Sequence, residues 1–179
     1  MNQKIQNLKL EKARELLDKR AFSLSELAEL THLSPAYLQK QFKQYFGLSP
    51  AEYSAQQKLL NLKKNLRKNV DVTQAWVDSG FSSCSRVYEN GAAKLGMLPA
   101  MYQKGGQGLI IHWTVCKTLL GLALVAATER GICAVALGTD RSLLQAELQN
   151  EFPKAQLNYV ADSHQYISAK VQHVARVLS

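Results

Sequence analysis

The sequence predicts an all-α part built on a duplicated helical unit, joined to a small α+β part. Three observations lead there. A phrase is written twice: SPAYLQKQFKQYFGLSPAEY runs from Ser34 to Tyr53, and 49 residues later SCSRVYENGAAKLGMLPAMY, ending at Tyr102, keeps its Gly, apolar, Pro-Ala and Tyr skeleton. The basic excess is uneven, with 16 Lys+Arg against 9 Asp+Glu up to Gly105 and 6 against 5 after it. Beyond the Gly-rich stretch QKGGQG (103–108), apolar residues fall in short continuous runs that suit strands.

In the first copy, Ser23 stands as N-cap with Glu26 as capping-box partner, and Phe22 and Leu27 occupy staple positions. The helix they open places Leu24, Leu27, Ala28 and Leu30 on one apolar face and breaks at Thr31-His32-Leu33. A second helix opens with Ser34 as N-cap and Pro35 at the first helical position, where a missing N–H costs nothing. Leu38, Phe42 and Phe46 face inward, and Gly47 ends it. Two short helices across a three- to four-residue turn, the second buried along one stripe, form the helix-turn-helix pattern. The other stripe carries Ala36, Gln39, Lys40, Lys43 and Gln44, whose amides and ammonium groups suit base edges and phosphates; a plain solvated face is the alternative.

The second copy repeats the plan. Asp71-Val72-Thr73-Gln74 gives the cap, Ala75, Trp76 and Val77 the apolar bulk, and Gly80-Phe81 the turn. A helix from near Ser83 then presents Cys84, Ser85, Arg86 and Tyr88 before Gly96. Between the copies, Ser49-Pro50-Ala51-Glu52 starts a helix reaching about Asn69, on the order of 28 Å long. Successive major-groove openings recur about every 34 Å, so a monomer with this connector can read two turns of one duplex. From Tyr53 to Val70 the connector has no acidic residue, while Lys58, Lys63, Lys64, Arg67 and Lys68 accumulate, as suits a helix near phosphates.

These motifs, FGLSPAEY and GFSS followed by LGMLPAMY, resemble the AraC/XylS family of bacterial transcription activators over roughly residues 5–103. The resemblance implies that both second helices read DNA, through Ala36, Gln39 and Lys40 in the first copy and Cys84, Ser85, Arg86 and Tyr88 in the second. It implies double-stranded DNA as partner, RNA polymerase as a further one, and a cytoplasmic, nucleoid-associated place. Glu89 and Gly91 depart from the family's basic and large apolar residues, weakening the second copy's expected grip.

In the remainder, LIIHWTV (109–115), GLALVAA (121–127) and ICAVAL (132–137) read as strands, with TERG as a hairpin turn. Thr139 or Asp140 caps a helix with Leu143, Leu144, Leu148 and Phe152 inside, and a last helix carries Ile167, Val171, Val174 and Leu178. The stretch from Gly121 to Leu157 is similar to the N-terminal, ribonuclease H-like subdomain of methylated-DNA–protein-cysteine methyltransferases. The order of the two resemblances is that of the Ada family, which couples alkylation repair to transcription. That chemistry needs an activated thiolate in a Pro-Cys-His-Arg segment. The three cysteines here sit in SSCSR, TVCKT and GICAV, with no neighbouring His and no CxxC, which also suits a reducing compartment. Cys133 reads as core, and Cys116, beside Lys117, as an edge-of-strand thiol. His112, His164 and His173 have no ligand spacing.

The domains expected are therefore 1–103, a double helix-turn-helix; 104–108, a Gly-rich linker; and 109–179, a methyltransferase-like ribonuclease H-type subdomain without its catalytic partner or a zinc module. No catalytic residue, metal site, cofactor or membrane contact is expected. The most apolar run, LLGLALVAA at 119–127, is too short to span a bilayer. The function expected is a sequence-specific DNA-binding regulator; the alternative is a fragment of a repair methyltransferase whose active-site segment lies elsewhere.

Overall fold

The computed structural model describes residues 3–68, 71–81 and 94–160. Its helices are α1 (Gln3–Lys19), α2 (Leu24–Thr31), α3 (Pro35–Phe46), α4 (Pro50–Arg67), α5 (Val72–Asp78), α6 (Pro99–Gln103) and α7 (Arg141–Glu151). The strands are β1 (Ile110–Thr118), β2 (Gly121–Thr128), β3 (Gly131–Gly138) and β4 (Gln156–Tyr159). The chain divides into two compact units, residues 1–62 with 78–81, and residues 63–77 with 82–179.

The first unit is helical. Leu10, Ala13 and Leu17 of α1 fall one helical turn apart and bury against Leu27 and Ala28 of α2 and Leu38 and Phe42 of α3. Around this core the ring of Phe42 meets Phe46 at 4.5 Å and Tyr53 at 5.8 Å. The Ser23–Glu26 capping box forms, with Ser23 N–H donating to Glu26 Oε2 at 2.7 Å and Glu26 N–H to Ser23 Oγ at 3.2 Å. At the other end of α2, His32 takes a left-handed conformation (φ 52°) while its N–H reaches Glu29 O and that of Leu33 reaches Ala28 O. This is a Schellman closure made without glycine. Side chains of α1 cover two further carbonyls at this end: Lys12 Nζ donates to Leu30 O at 2.9 Å and Lys9 Nζ to His32 O at 3.1 Å.

One expectation for this unit changes. Leu30 is exposed, and Thr31 takes the buried place, since it lies four residues from Leu27 and donates its hydroxyl to Leu27 O at 2.6 Å. Helix α1 was not read from the sequence, although its Leu10, Ala13, Leu17 spacing announces it.

The second unit holds a four-stranded mixed sheet in the order β3-β2-β1-β4. β1, β2 and β3 form an antiparallel meander, and β4 returns after α7 to pair parallel with β1, from Ile110↔Gln156 to Trp113↔Tyr159. The antiparallel arrangement expected is thus extended by a parallel edge strand, whose sequence QLNY carries too little apolar signal to be read as one. Asp140 caps α7, accepting from Ser142 N–H at 2.7 Å and Leu143 N–H at 3.2 Å. Leu144, Leu148 and Phe152 are buried as expected, but Leu143 is exposed, because the helix stripe runs through 144, 148 and 152 and leaves 143 on the open side. Leu119 and Leu120 also turn outward: they form the β1–β2 turn, so the apolar run starts as a hairpin tip and becomes strand only at Gly121. In α5, Ala75 and Trp76 are buried while Val77 is exposed. The last helix expected, with Ile167, Val171, Val174 and Leu178, lies outside the described residues, as do His164 and His173.

Candidate nucleic-acid interface

The first reading unit is α2, the turn His32–Ser34, and α3. Ser34 caps α3, its Oγ accepting from Tyr37 N–H at 3.4 Å, and Gly47 closes it in a left-handed conformation. Leu38 and Phe42 are fully buried, which fixes the rotation of α3 about its axis. The opposite side presents Ala36, Gln39, Lys40, Lys43 and Gln44, all exposed. Helix α3 holds no carboxylate, so this face is cationic with amides interleaved. That is the donor and acceptor set that suits base edges and phosphates.

Helix α4 starts with a second capping box, Ser49 N–H donating to Glu52 Oε2 at 2.7 Å and Glu52 N–H to Ser49 Oγ at 3.3 Å. Its last residue is Arg67, close to the Asn69 expected. The basic residues along it have different fates. Lys64 is exposed. Lys63 is turned inward: its Nζ lies 3.0 Å from Glu151 Oε1 and donates to Cys133 O at 3.3 Å, both in the second unit. Two of its three ammonium donors thus have acceptors within the second unit. Arg67 keeps 55% of its side chain exposed while its Nη2 sits 3.4 Å from the same Glu151 oxygen.

The repeated phrase has one structural use in both copies. Each glycine takes a left-handed conformation, each proline opens the next helix, and each tyrosine hydroxyl donates to a carboxylate on another helix. Tyr53 donates to Asp18 Oδ1 of α1 at 2.7 Å, within the first unit. Tyr102 donates to Glu151 Oε1 of α7 at 2.8 Å, within the second, with its ring edge-on to Phe152 at 5.6 Å. Sequence reading found the repeat but not the two acceptors, which stand 35 and 49 residues away in the chain.

In the second copy, Asp71 caps α5 by accepting from Thr73 N–H at 2.9 Å and Gln74 N–H at 3.2 Å. The expected base-contacting residues Cys84, Ser85, Arg86 and Tyr88, together with Glu89 and Gly91, lie outside the described residues. Of the other cysteines, Cys133 is buried, and burial pushes its thiol up to about 12. Cys116 is half-buried near the end of β1, beyond the residues that pair with β4, with Sγ 3.6 Å from Ala123 O. Among the described residues no cluster of His, Cys, Asp or Glu has a metal-binding arrangement, and no helix is long and apolar enough to cross a membrane.

The fold of α2 and α3 is a helix-turn-helix, and residues 27–105 match the family described as "Helix-turn-helix domain". More particularly, the chain is similar to two Ada proteins. The chain is 35% identical over 133 residues to the "Bifunctional transcriptional activator/DNA repair enzyme Ada" of Escherichia coli (strain K12), and 32% identical over 133 residues to the "Regulatory protein ada" of Salmonella typhimurium. Each match takes in 74% of this chain and 38% of the relative, so the chain spans well under half the length of these proteins. A 133-residue match is longer than the helical part, so the similarity continues into the α+β part. No solved structure matches the chain significantly.

Proposed function

We propose that this chain is a sequence-specific, DNA-binding transcription regulator of the AraC type that acts, like its Ada relatives, in the response to DNA alkylation. The observation that carries this reading is the exposed α3 face, Ala36, Gln39, Lys40 and Lys43, held in a helix-turn-helix by a buried Leu38–Phe42 stripe. With α3 in a major groove, the Gln39 amide can pair bidentately with an adenine edge, and Lys40 and Lys43 reach guanine or phosphate. Lys64 and Arg67 of α4 add phosphate contacts, and Cys84, Ser85, Arg86 and Tyr88 form the second reading face. Residues 1–103 are the DNA-reading domain, 104–108 the join, and 109–179 a non-catalytic methyltransferase-like scaffold. The protein acts as a monomer on double-stranded DNA, contacts RNA polymerase, and works in the bacterial cytoplasm at the nucleoid.

Fluorescence anisotropy against duplexes selected from a randomised pool tests this. Affinity is expected to fall steeply with salt, and Lys40→Ala to lower the slope of log K against log salt by about 1 on every sequence. Gln39→Ala is expected to cost about 1–3 kcal/mol on the preferred sequence and to relax the choice of one base pair. Absence of duplex binding at low salt, or unchanged binding in both variants, would overturn the proposal.

The similarity running into the α+β part favours one further reading, a piece of a repair methyltransferase. A buried thiol with a pKa near 12 is a weak nucleophile, so Cys133 does not serve it. Mass spectrometry after exposure to O6-methylguanine DNA decides: one added methyl on any cysteine establishes the repair reading, and none removes it.

A further inference from the structure

We infer that the cavity where α4, α6 and α7 end in the second unit is a phosphodiester site for duplex DNA, with Glu151 as its positioning residue. The inference rests on the DNA-binding function proposed above and extends the grip to the α+β part. The cavity has a volume of about 480 Å³ and opens to solvent; its walls include Arg67, Tyr102, Lys104, Gly105, Glu151 and Lys154.

Its geometry is fixed by backbone. Helix α6 closes with Gly106 N–H on Met101 O at 2.9 Å and Gly105 N–H on Tyr102 O at 3.0 Å. Lys154 N–H then donates to Gly105 O at 2.9 Å, stapling the turn after α7 to the turn after α6. Lys104 and Lys154 are thereby held on the rim of one cavity, both exposed and neither in an ion pair among the described residues.

The charge count favours an anion. One oxygen of Glu151 serves three donors: Tyr102 Oη at 2.8 Å, Lys63 Nζ at 3.0 Å and Arg67 Nη2 at 3.4 Å. A single carboxylate faces two cations there, and the two rim lysines add to the surplus. Helix C-termini meet at this point and their partial negative charge opposes an anion. The last carbonyls of α6 are spent on the turn N–H groups, however, and the formal cationic surplus exceeds what helix ends of this kind carry. A concave, cationic wall focuses that potential.

A backbone phosphate fits better than a nucleotide. Tyr102 is only 2% exposed, with Phe152 edge-on to its ring, so the ring offers no open face on which a base could stack. Glu151 holds Arg67 half-exposed at the mouth, so its guanidinium is already ordered when a phosphate arrives.

That role gives Glu151 a signature of its own. If charge alone mattered, Glu151→Gln would remove a negative group and tighten DNA binding. Positioning requires the reverse, about tenfold weaker binding in the full-length chain, with Glu151→Asp restoring part of it. The Gln change is expected to add nothing in an Arg67→Ala background, as two residues of one unit require. Lys104→Gln with Lys154→Gln is expected to lower the salt slope by roughly 2. Lys117→Gln with Arg130→Gln, an equal charge loss outside this cavity, is expected to change it less. Thermal melts confirm that each variant folds.

Tighter binding by Glu151→Gln, an unchanged slope in the Lys104/Lys154 pair, or equal effects of the two pairs each overturn the inference while wild-type duplex binding stands. Shifts of the Gly105 and Lys154 amides with inorganic phosphate but not with duplex would mark a free-phosphate site and overturn it too. Loss of wild-type duplex binding itself fells the proposed function first.

Discussion

At the scale of single residues, burial and partnership decide what each side chain can do. Cys133 sits in β3 with 4% of its surface exposed, and desolvation, partly offset by Lys63, lifts its thiol from 9.0 to about 12. Tyr102 is raised as well, by desolvation and then by Glu151. In both groups the folded state favours the protonated form. Their contribution to stability is therefore complete below the unfolded values and is lost as pH rises through the folded ones. The second unit is expected to lose stability from about pH 9 to 12, at up to about 1.4 kcal/mol per pH unit for each group. Thermal melts followed by tryptophan emission measure this, and Cys133→Ala should flatten the slope; an unchanged profile would show that the thiol already titrates normally. By the same physics, iodoacetamide at neutral pH should leave Cys133 unmodified in the native chain and label it only after unfolding. Glu151 gives a second test at this scale. Glu151→Ala leaves Lys63, with 22% of its side chain exposed, without its carboxylate, at an expected cost of about 2 kcal/mol to the second unit.

At the scale of elements, the two copies of one phrase make different demands on one residue type. Gly47 and Gly96 have φ of 78° and 65°, a conformation in which any side chain is strained. A Cβ on Gly47 would meet nothing within 4 Å, so Gly47→Ala should cost only the conformational strain, about 1 kcal/mol. A Cβ on Gly96 would lie 2.4 Å from Ile132 O and 2.8 Å from Cys133 N, both backbone atoms of β3. Gly96→Ala should therefore cost on the order of 3 kcal/mol, read from urea unfolding of each variant; equal costs would place Gly96 out of contact with β3. The helix starts carry a pH signature. The backbone N–H groups of Ser23 and Ser49, then their hydroxyls, hold Glu26 and Glu52 below the usual 4.5. That contribution is present above the ordinary value and fades as pH falls through the depressed one, so helix content by circular dichroism should begin to fall only below pH 4.5. Glu26→Gln with Glu52→Gln keeps the box geometry and should remove this part of the acid loss. These starts were legible from sequence because a cap is local: Ser23, Ser34, Asp71 and Asp140 each act within three residues. The two carboxylate partners of the tyrosines were not, since Asp18 and Glu151 are brought in by packing. Nor was β4, whose pairing with β1 follows from where α7 delivers the chain rather than from any apolar pattern in QLNY. Charge counted along a helix likewise does not reveal that Lys63 faces Glu151 and Cys133 while Lys64 is exposed.

At the scale of the whole molecule, two cores share one continuous helix. Leu10, Leu17, Leu27, Leu38 and Phe42 make the first, and Ile111, Leu124, Val125, Leu148 and Phe152 belong to the second unit's buried set. α4 contributes Pro50–Leu62 to one and Lys63–Arg67 to the other. A helix is cooperative along its length but gains most of its stability from what it packs against, so each half of α4 follows its own core. The two tryptophans, Trp76 and Trp113, are both buried and both in the second unit, whereas α1, α2 and α3 lie in the first. Tryptophan emission thus reports one unit, and far-ultraviolet dichroism is weighted to the other. In urea the two probes are expected to give different midpoints, and the dichroism curve two steps, the test of two-state behaviour that fails when domains melt separately. Phe42→Ala, at about 3–5 kcal/mol, should move the dichroism midpoint and leave the tryptophan midpoint in place. Coincident curves in the wild type, moving together in Phe42→Ala, would mean that α4 transmits unfolding from one core to the other and that the first unit has no stability of its own.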